Sequence, residues 1–299
     1  MSASTHLKAD ALLVVVTVVA AFGWMFSKSA LAGFSPLLFM GLRFSSAGML
    51  LLGMGGYRAF GKLTRQQWRS GLLAGILFAT AMMFWVTGLH FAGHIGVGAF
   101  LNSLGVVLVP VVGLCFGERP RLSAWLSLPV VAAGLACLSL DSEFAIGPGE
   151  LSFLAAAAFF ATSFILLSRA SAGMPTIALT TIQLLMTGIL SLTVSAIFEH
   201  WQFDQPLDIW LWLLASVLIA TSLRFFIQIR AQGMAPASHA AIIMTLEPVW
   251  TAILASWWLS EQMTVLQLLG CSLIFAATLI SRWRVLRYLL VNMRVSLLR

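Results

Sequence analysis

The sequence predicts an all-α polytopic membrane protein: ten transmembrane helices as two inverted five-helix repeats, with both termini cytoplasmic. Three observations carry that expectation. Of the 299 residues, 60% are apolar and 9% charged, with a mean hydropathy of +0.98, whereas a water-soluble domain devotes roughly a quarter of its residues to charge. The apolar residues fall into successive runs of about 20, the length a helix needs to cross a hydrocarbon core of ~30 Å. The basic residues collect at alternate joints between those runs. The composition alone excludes a soluble enzyme, a disordered chain and a disulfide scaffold. Continuous rather than alternating runs exclude a β-barrel. The +7 formal charge and pI near 10.2 do not point to nucleic acid, because no basic patch is interleaved with a polar domain.

The spans lie at 10–31, 36–54, 68–89, 94–116, 122–140, 150–168, 175–197, 208–229, 237–259 and 263–285. The first has Lys8 ahead of it and Ala30-Leu31-Ala32 near its end, the outline of a cleavable signal. Asp10 in its flank and nine further spans favour a retained helix. The second contains Arg43. The joint after it, Gly56 to Lys62, has the spacing of a phosphate-binding loop, but Leu63 stands where a hydroxyl would hold Mg²⁺ and no strand precedes it. ATP binding is therefore not expected. The third span pairs Gly71 with Gly75 and the fourth pairs Gly113 with Gly117, small residues that let helices approach. His90 and His94 flank the joint between these spans at Gly93 and read as loop residues rather than metal ligands. His239, opening the ninth span, reads as solvated. Cys115, Cys137 and Cys271 lie in apolar runs and read as buried hydrophobes.

With the N-terminus inside, Lys8, Arg58, Lys62, Arg65, Arg69, Arg119, Arg121, Arg169, Arg230, Arg282, Arg284, Arg287, Arg294 and Arg299 all fall on the inner side. That is 14 of the 17 basic residues, and seven of the ten acids fall outside: Asp141, Glu143, Glu150, Glu199, Asp204, Asp208 and Glu261. One helix more or fewer would scramble this division, so it supports the number of spans as well as the direction. Residues 1–145 form the first five-helix half, 146–285 the second, and 286–299 a basic cytoplasmic tail. Setting each residue over the one 143 further on matches Ala92 to Ala235, Asn102 to Thr245 and Glu118 to Glu261. Five is odd, so the second half must lie upside down, a common build for secondary transporters.

The run Ala235 to Ala241, then Thr245-Leu246-Glu247-Pro248, Leu259-Ser260-Glu261 and Leu269-Gly270 resembles the last two helices of the drug/metabolite transporter superfamily. Gly117-Glu118-Arg119 and Arg43 fit the first half of its EamA-like ten-helix pattern. Leu104-Gly105, opposite Glu247-Pro248, departs from it. The resemblance implies export of small metabolites from the cytoplasm, across an inner (plasma) membrane in a bacterial setting. Within the superfamily the chain is most similar to the aromatic amino-acid exporters.

Charges inside a bilayer are costly and call for a reason. Three lie away from the ends of their spans: Arg43, Arg224 and Glu247. Glu247 lies near mid-span beside Pro248, and Arg224 shares a face with Thr221 and Gln228. Two readings are open. Glu247 and Arg224 could hold the ammonium and carboxylate of a zwitterion, or an Arg–Glu pair could simply join helices. Trp24, Trp85, Phe164 and Trp250 are aromatics well inside their spans, and Asn102 is a mid-helix polar group mirrored by Thr245. With Glu247, Arg224 and Gln228 they form the expected substrate site. No catalytic or metal-ligating cluster is visible, so the chain reads as a transporter rather than an enzyme. No cofactor is expected, and the partners are a small-molecule substrate and the lipid bilayer. Drugs, polyamines or nucleotide-linked metabolites are alternative cargoes, and an embedded interaction protein is the alternative class. The sequence does not set the oligomeric state.

Overall fold

A computed structural model of the chain describes residues 3–91, 95–120, 122–139, 147–258 and 264–281, and every regular element among them is helical. In order they are α1 (Ala3–Ala30), α2 (Pro36–Phe60), α3 (Arg65–Phe91), α4 (Ile95–Cys115), α5 (Leu122–Ser139), α6 (Pro148–Gly173), α7 (Thr176–Phe198), α8 (Leu207–Gln232), α9 (Ala237–Met244), α10 (Leu246–Trp258) and α11 (Val265–Ser281). Among the described residues, seven apolar helical stretches are long enough to cross a membrane, with α9 and most of α10 together making one of them, and three shorter apolar helices lie in α4, α5 and α11.

Prolines mark where helices begin. Pro36 and Pro148 occupy the first turns of α2 and α6, and Pro175, Pro206 and Pro236 directly precede α7, α8 and α9. A helix's first N–H groups have no internal partner, so proline loses nothing there. The Glu150 carboxylate turns back to accept the Gly147 N–H at 2.9 Å, closing the first turn of α6. At the other end of α4, Gly117 takes φ +74°, which allows the Glu118 N–H to reach the Gly113 carbonyl at 2.9 Å, as in a left-handed helix stop.

Four boundaries differ from the sequence expectation. α1 starts at Ala3, ahead of residue 10. The second span continues beyond 54 through a wide turn at Leu52–Gly56 to Phe60, with Gly55 at φ +128°, so most of the expected joint is helical. The eighth span is not one regular helix, since Ser216–Leu223 forms a wider π segment within α8. The ninth is broken at Thr245. The end of the tenth span, the tail, Gly93, His94 and Glu261 lie outside the described residues.

The closest helix pairs are α3 with α6, α2 with α7, α5 with α11, and α4 with α6. Gly41 faces Leu192, Gly48 faces Leu185, and Gly188 faces Ser45. As one residue number rises the other falls, so α2 and α7 run antiparallel. Gly71 and Gly75 perform the expected service, bringing α3 against Ile182 and Met186 of α7. Gly113 does not, since its neighbour is the Glu118 side chain of its own turn. Exchanging the two halves sends the main contacts into one another: α3 with α6 becomes α8 with α1, and α4 with α6 becomes α9 and α10 with α1. All of these pairs are present.

Two principal apolar clusters fill the interior. The larger joins Phe39 and Phe44 of α2, Phe78 of α3, Leu179 and Leu184 of α7, and Phe225 and Ile229 of α8. The second joins Leu13 and Val16 of α1, Leu135 of α5, Ala231 of α8, Val249 of α10 and Ile274 of α11. The outer faces remain apolar: Met49, Leu73, Leu126, Leu151, Ile197, Leu211 and Leu279 are all exposed. Such a coat is insoluble in water and suits lipid. Of the cysteines, Cys271 is buried but Cys115 is exposed, which corrects the reading of all three as buried.

Glu199, just past α7, ties that helix to the start of α2. Its carboxylate accepts the Leu37 and Leu38 N–H groups at 2.9 and 2.8 Å and the Ser35 and Ser195 hydroxyls at 2.9 and 2.7 Å. An anion at a helix N-terminus is favourable both as a hydrogen-bond acceptor and against the helix dipole. Glu199→Ala therefore strands two backbone donors and should destabilise the fold by about 2 kcal/mol. A thermal melt in detergent checks this, and an unchanged midpoint would remove the clamp from the account.

Candidate functional site

Pro248 cannot donate to the Met244 carbonyl four residues earlier, and its ring clashes there. The helix gives way at Thr245, whose hydroxyl and N–H both fold back to the Ile242 carbonyl, at 2.6 and 3.2 Å. α10 restarts at Leu246, so Glu247 stands in its first turn. The carboxylate meets Arg224 Nη2 at 2.9 Å, and the two side chains keep 22% and 17% of their exposure. Trp24 Nε1 of α1 donates to the other carboxylate oxygen at 3.1 Å. Trp85 of α3 packs edge-on against Trp24, with centroids 5.3 Å apart. The Arg224 guanidinium also lies 4.7 Å from the Phe225 ring centre, a cation–π contact. The structure thus joins α1, α3, α8 and α10 through one acid, one guanidinium and two indoles.

The other expected residues are distributed around this centre. Trp250 turns to α1 instead, its Nε1 donating to the Thr17 hydroxyl at 3.1 Å and its ring meeting Phe275 edge-on at 5.9 Å. Thr251 caps inward, donating to the Glu247 carbonyl at 3.0 Å. Phe164 packs against both the second cluster and a smaller one around Ala161 and Ala241. Gln228 is buried with its Oε1 lacking a partner, and the Asn102 Oδ1 is buried in the same condition.

Arg43 is a separate arrangement. It is buried and donates to the Thr221 and Ser27 hydroxyls and the Ala220 carbonyl, between the Phe39 and Phe44 rings. The Ala220 carbonyl belongs to the π segment, where the wider turn leaves carbonyls free of their usual α-helical partners. Thr221 and Ser222 hydroxyls donate five residues back, to Ser216 and Val217. Thr221 is therefore engaged by Arg43 and not grouped with Arg224, contrary to the helical-face expectation. Thr221 lies within the π segment and Arg224 opens the regular helix after it, so the spacing of three does not hold them on one α-helical face.

His239, expected in solvent, instead pairs with Asp10 of α1 through Nε2 and Oδ1 at 3.0 Å, and both side chains are largely shielded. Two ends of the molecule can be told apart by such contacts. Gln67 donates to the Gly173 carbonyl, Arg169 to that of Phe116, and Gly233 abuts Ser171, gathering Arg65, Arg69, Arg119, Arg169 and Arg230 at one end. Gly33 abuts Gln205, and Glu199 holds Ser35, placing Glu199, Asp204 and Asp208 at the other. At the basic end, half-burial pushes the Glu118 carboxyl above its usual range, partly offset by Arg169.

The residues the sequence reading missed are Thr17, Ser27 and Glu199. Hydroxyls in apolar helices usually bond within their own helix, so the first two carry no distinguishing signal. Glu199 could be suspected only from Pro36, which marks a helix start lacking an acid of its own.

Comparison with known proteins follows the same lines. The model of the EamA-like transporter family matches twice, at residues 7–140 and 147–283. An uncharacterized transporter of Archaeoglobus fulgidus is 28% identical over 285 residues, covering 94% of this chain and 87% of that protein. A solved crystal structure superposes with a TM-score of 0.79 at 19% identity, over 96% of this chain and 99% of its own, and so shares the fold. With both halves matched over nearly their whole length, the chain belongs to the EamA-like transporter family.

Proposed function

We propose that the protein is a secondary-active exporter of amino acids, aromatic or otherwise large and apolar, or of closely related metabolites. It works by alternating access between two inverted five-helix repeats, in an inner (plasma) membrane with the basic end and both termini cytoplasmic. The observation that carries the reading is the Glu247–Arg224 pair, at a helix break, partly accessible, and lined by Trp24 and Trp85. A zwitterion can exchange with such a pair. Its ammonium takes the carboxylate, its carboxylate takes the guanidinium, and an apolar side chain packs on the indoles. Trp250, Phe164, Asn102 and Gln228 complete the surroundings. The packing that survives exchange of the halves, and the twofold family match, support the repeat arrangement. A polyamine is less well served, because Glu247 is the acid of this centre and Arg224 already neutralises it.

The test is uptake of radiolabelled phenylalanine, tyrosine and tryptophan by liposomes carrying the protein and preloaded with unlabelled amino acid. Counterflow well above empty vesicles is expected. No flux above that background for any amino acid would overturn the assignment.

A further inference from the structure

Arg224, Gln228 and Gln232 follow one another at intervals of four along the last part of α8, which is regular helix there. They form one stripe about 12 Å long, leading from the ion pair to the basic end. Gln228 is 6% exposed and Gln232 1% exposed. Both amide atoms of Gln232, Oε1 of Gln228 and Nε of Arg224 have no hydrogen-bond partner. Four such atoms on one stripe are costly in a protein interior, where polar groups are almost always paired. Leucine at these positions would avoid the penalty.

The flanks of the stripe explain what it is for. Phe225 and Ile229, on one side, belong to the larger apolar cluster. Ile227 and Ala231, on the other, pack with the second. The glutamines thus run along the seam between two apolar clusters, to both of which α1, α6 and α8 contribute. We propose that this seam is the access route from the basic end to the ion pair, and that Gln228 and Gln232 are its substrate-guiding residues. Parting the clusters admits water and the polar head of a zwitterion to the unpartnered amides. An amide offers one donor group and one acceptor without a net charge, so it serves ammonium and carboxylate alike and traps neither. Closed, as in this structure, the route leaves the amides unsatisfied, which favours reopening.

This inference rests on the transport reading, but its test does not need a known substrate. Gln232→Cys, Gln228→Cys and Ile229→Cys are made in a chain with Cys115, Cys137 and Cys271 replaced by serine. Each is treated with a membrane-impermeant maleimide in inside-out and right-side-out vesicles. Labelling of Gln232→Cys, and more slowly of Gln228→Cys, from the basic side alone is expected, with Ile229→Cys at least tenfold slower. No labelling of Gln232→Cys from that side, or equal labelling of Ile229→Cys, would overturn the route. If Gln228→Cys does not fold, the contrast between the other two decides. Labelling as expected alongside absent amino-acid flux would leave the route standing and remove only the assigned cargo.

Discussion

Glu247→Gln should abolish most transport while leaving a folded protein. The substitution keeps the shape of the side chain and removes its charge. A hydrogen bond to a charged partner contributes about 1.5–3 kcal/mol, so flux of an aromatic amino acid should fall roughly 10- to 140-fold. The stability effect is smaller. Arg224 loses its counter-ion, but both side chains retain partial solvent access, and a loss of about 1 kcal/mol is expected after allowing for screening. Glu247→Gln combined with Arg224→Gln should restore the melting temperature without restoring flux, because it removes the unpaired charge but not the need for one. Counterflow and thermal melts on the single and double variants separate these outcomes. Parental flux by Glu247→Gln at parental expression would show that the pair merely joins helices.

Gly188→Val should prevent α2 and α7 from closing. A Cβ at Gly188 would lie 2.4 Å from the Ser45 backbone nitrogen and 2.7 Å from its Cα. Backbone atoms cannot rotate aside, so the helices must separate along a contact that also includes Gly41 and Gly48. A cost of about 3 kcal/mol is expected, visible as a lower yield of monodisperse protein and a lower melting temperature. Ser45→Gly in the same chain should recover little, since the obstructing atoms are main chain. Gly53→Ala is the internal reference: nothing lies within 4 Å of its Cβ position, and the variant should melt no lower than the parent. A Gly188→Val protein as stable as the parent would mean that α2 and α7 can part without penalty.

The scarcity of charge made much of this readable in advance. Arg224 and Glu247 stood out because charged side chains within apolar spans have few uses, and they do meet. The ninth span reads in the sequence as unbroken through Pro248, but the helix breaks at Thr245, because proline acts on the Met244 carbonyl four residues behind it. Arg43 was harder. Its partners are two hydroxyls and a π-segment carbonyl, and the pattern Ser216–Leu223 reads as ordinary apolar helix. The Trp24–Glu247, Trp250–Thr17 and His239–Asp10 bonds link residues more than 220 positions apart, and local periodicity carries nothing about such distances. Trp250 illustrates the limit: it stands three residues from Glu247, yet its ring serves the contact with α1 and α11.

The carboxylate of Glu199 has a mechanical consequence. It ties the end of α7 to the start of α2, and the glycine contacts continue the bond along the length of both helices. The two helices form a strut, not a hinge. Spin labels on α2 and α7 should therefore report one fixed separation throughout a transport cycle. In the proposed cycle the travel is expected at the seam between the two apolar clusters along α8, so a ruler placed across that seam is the one that should move.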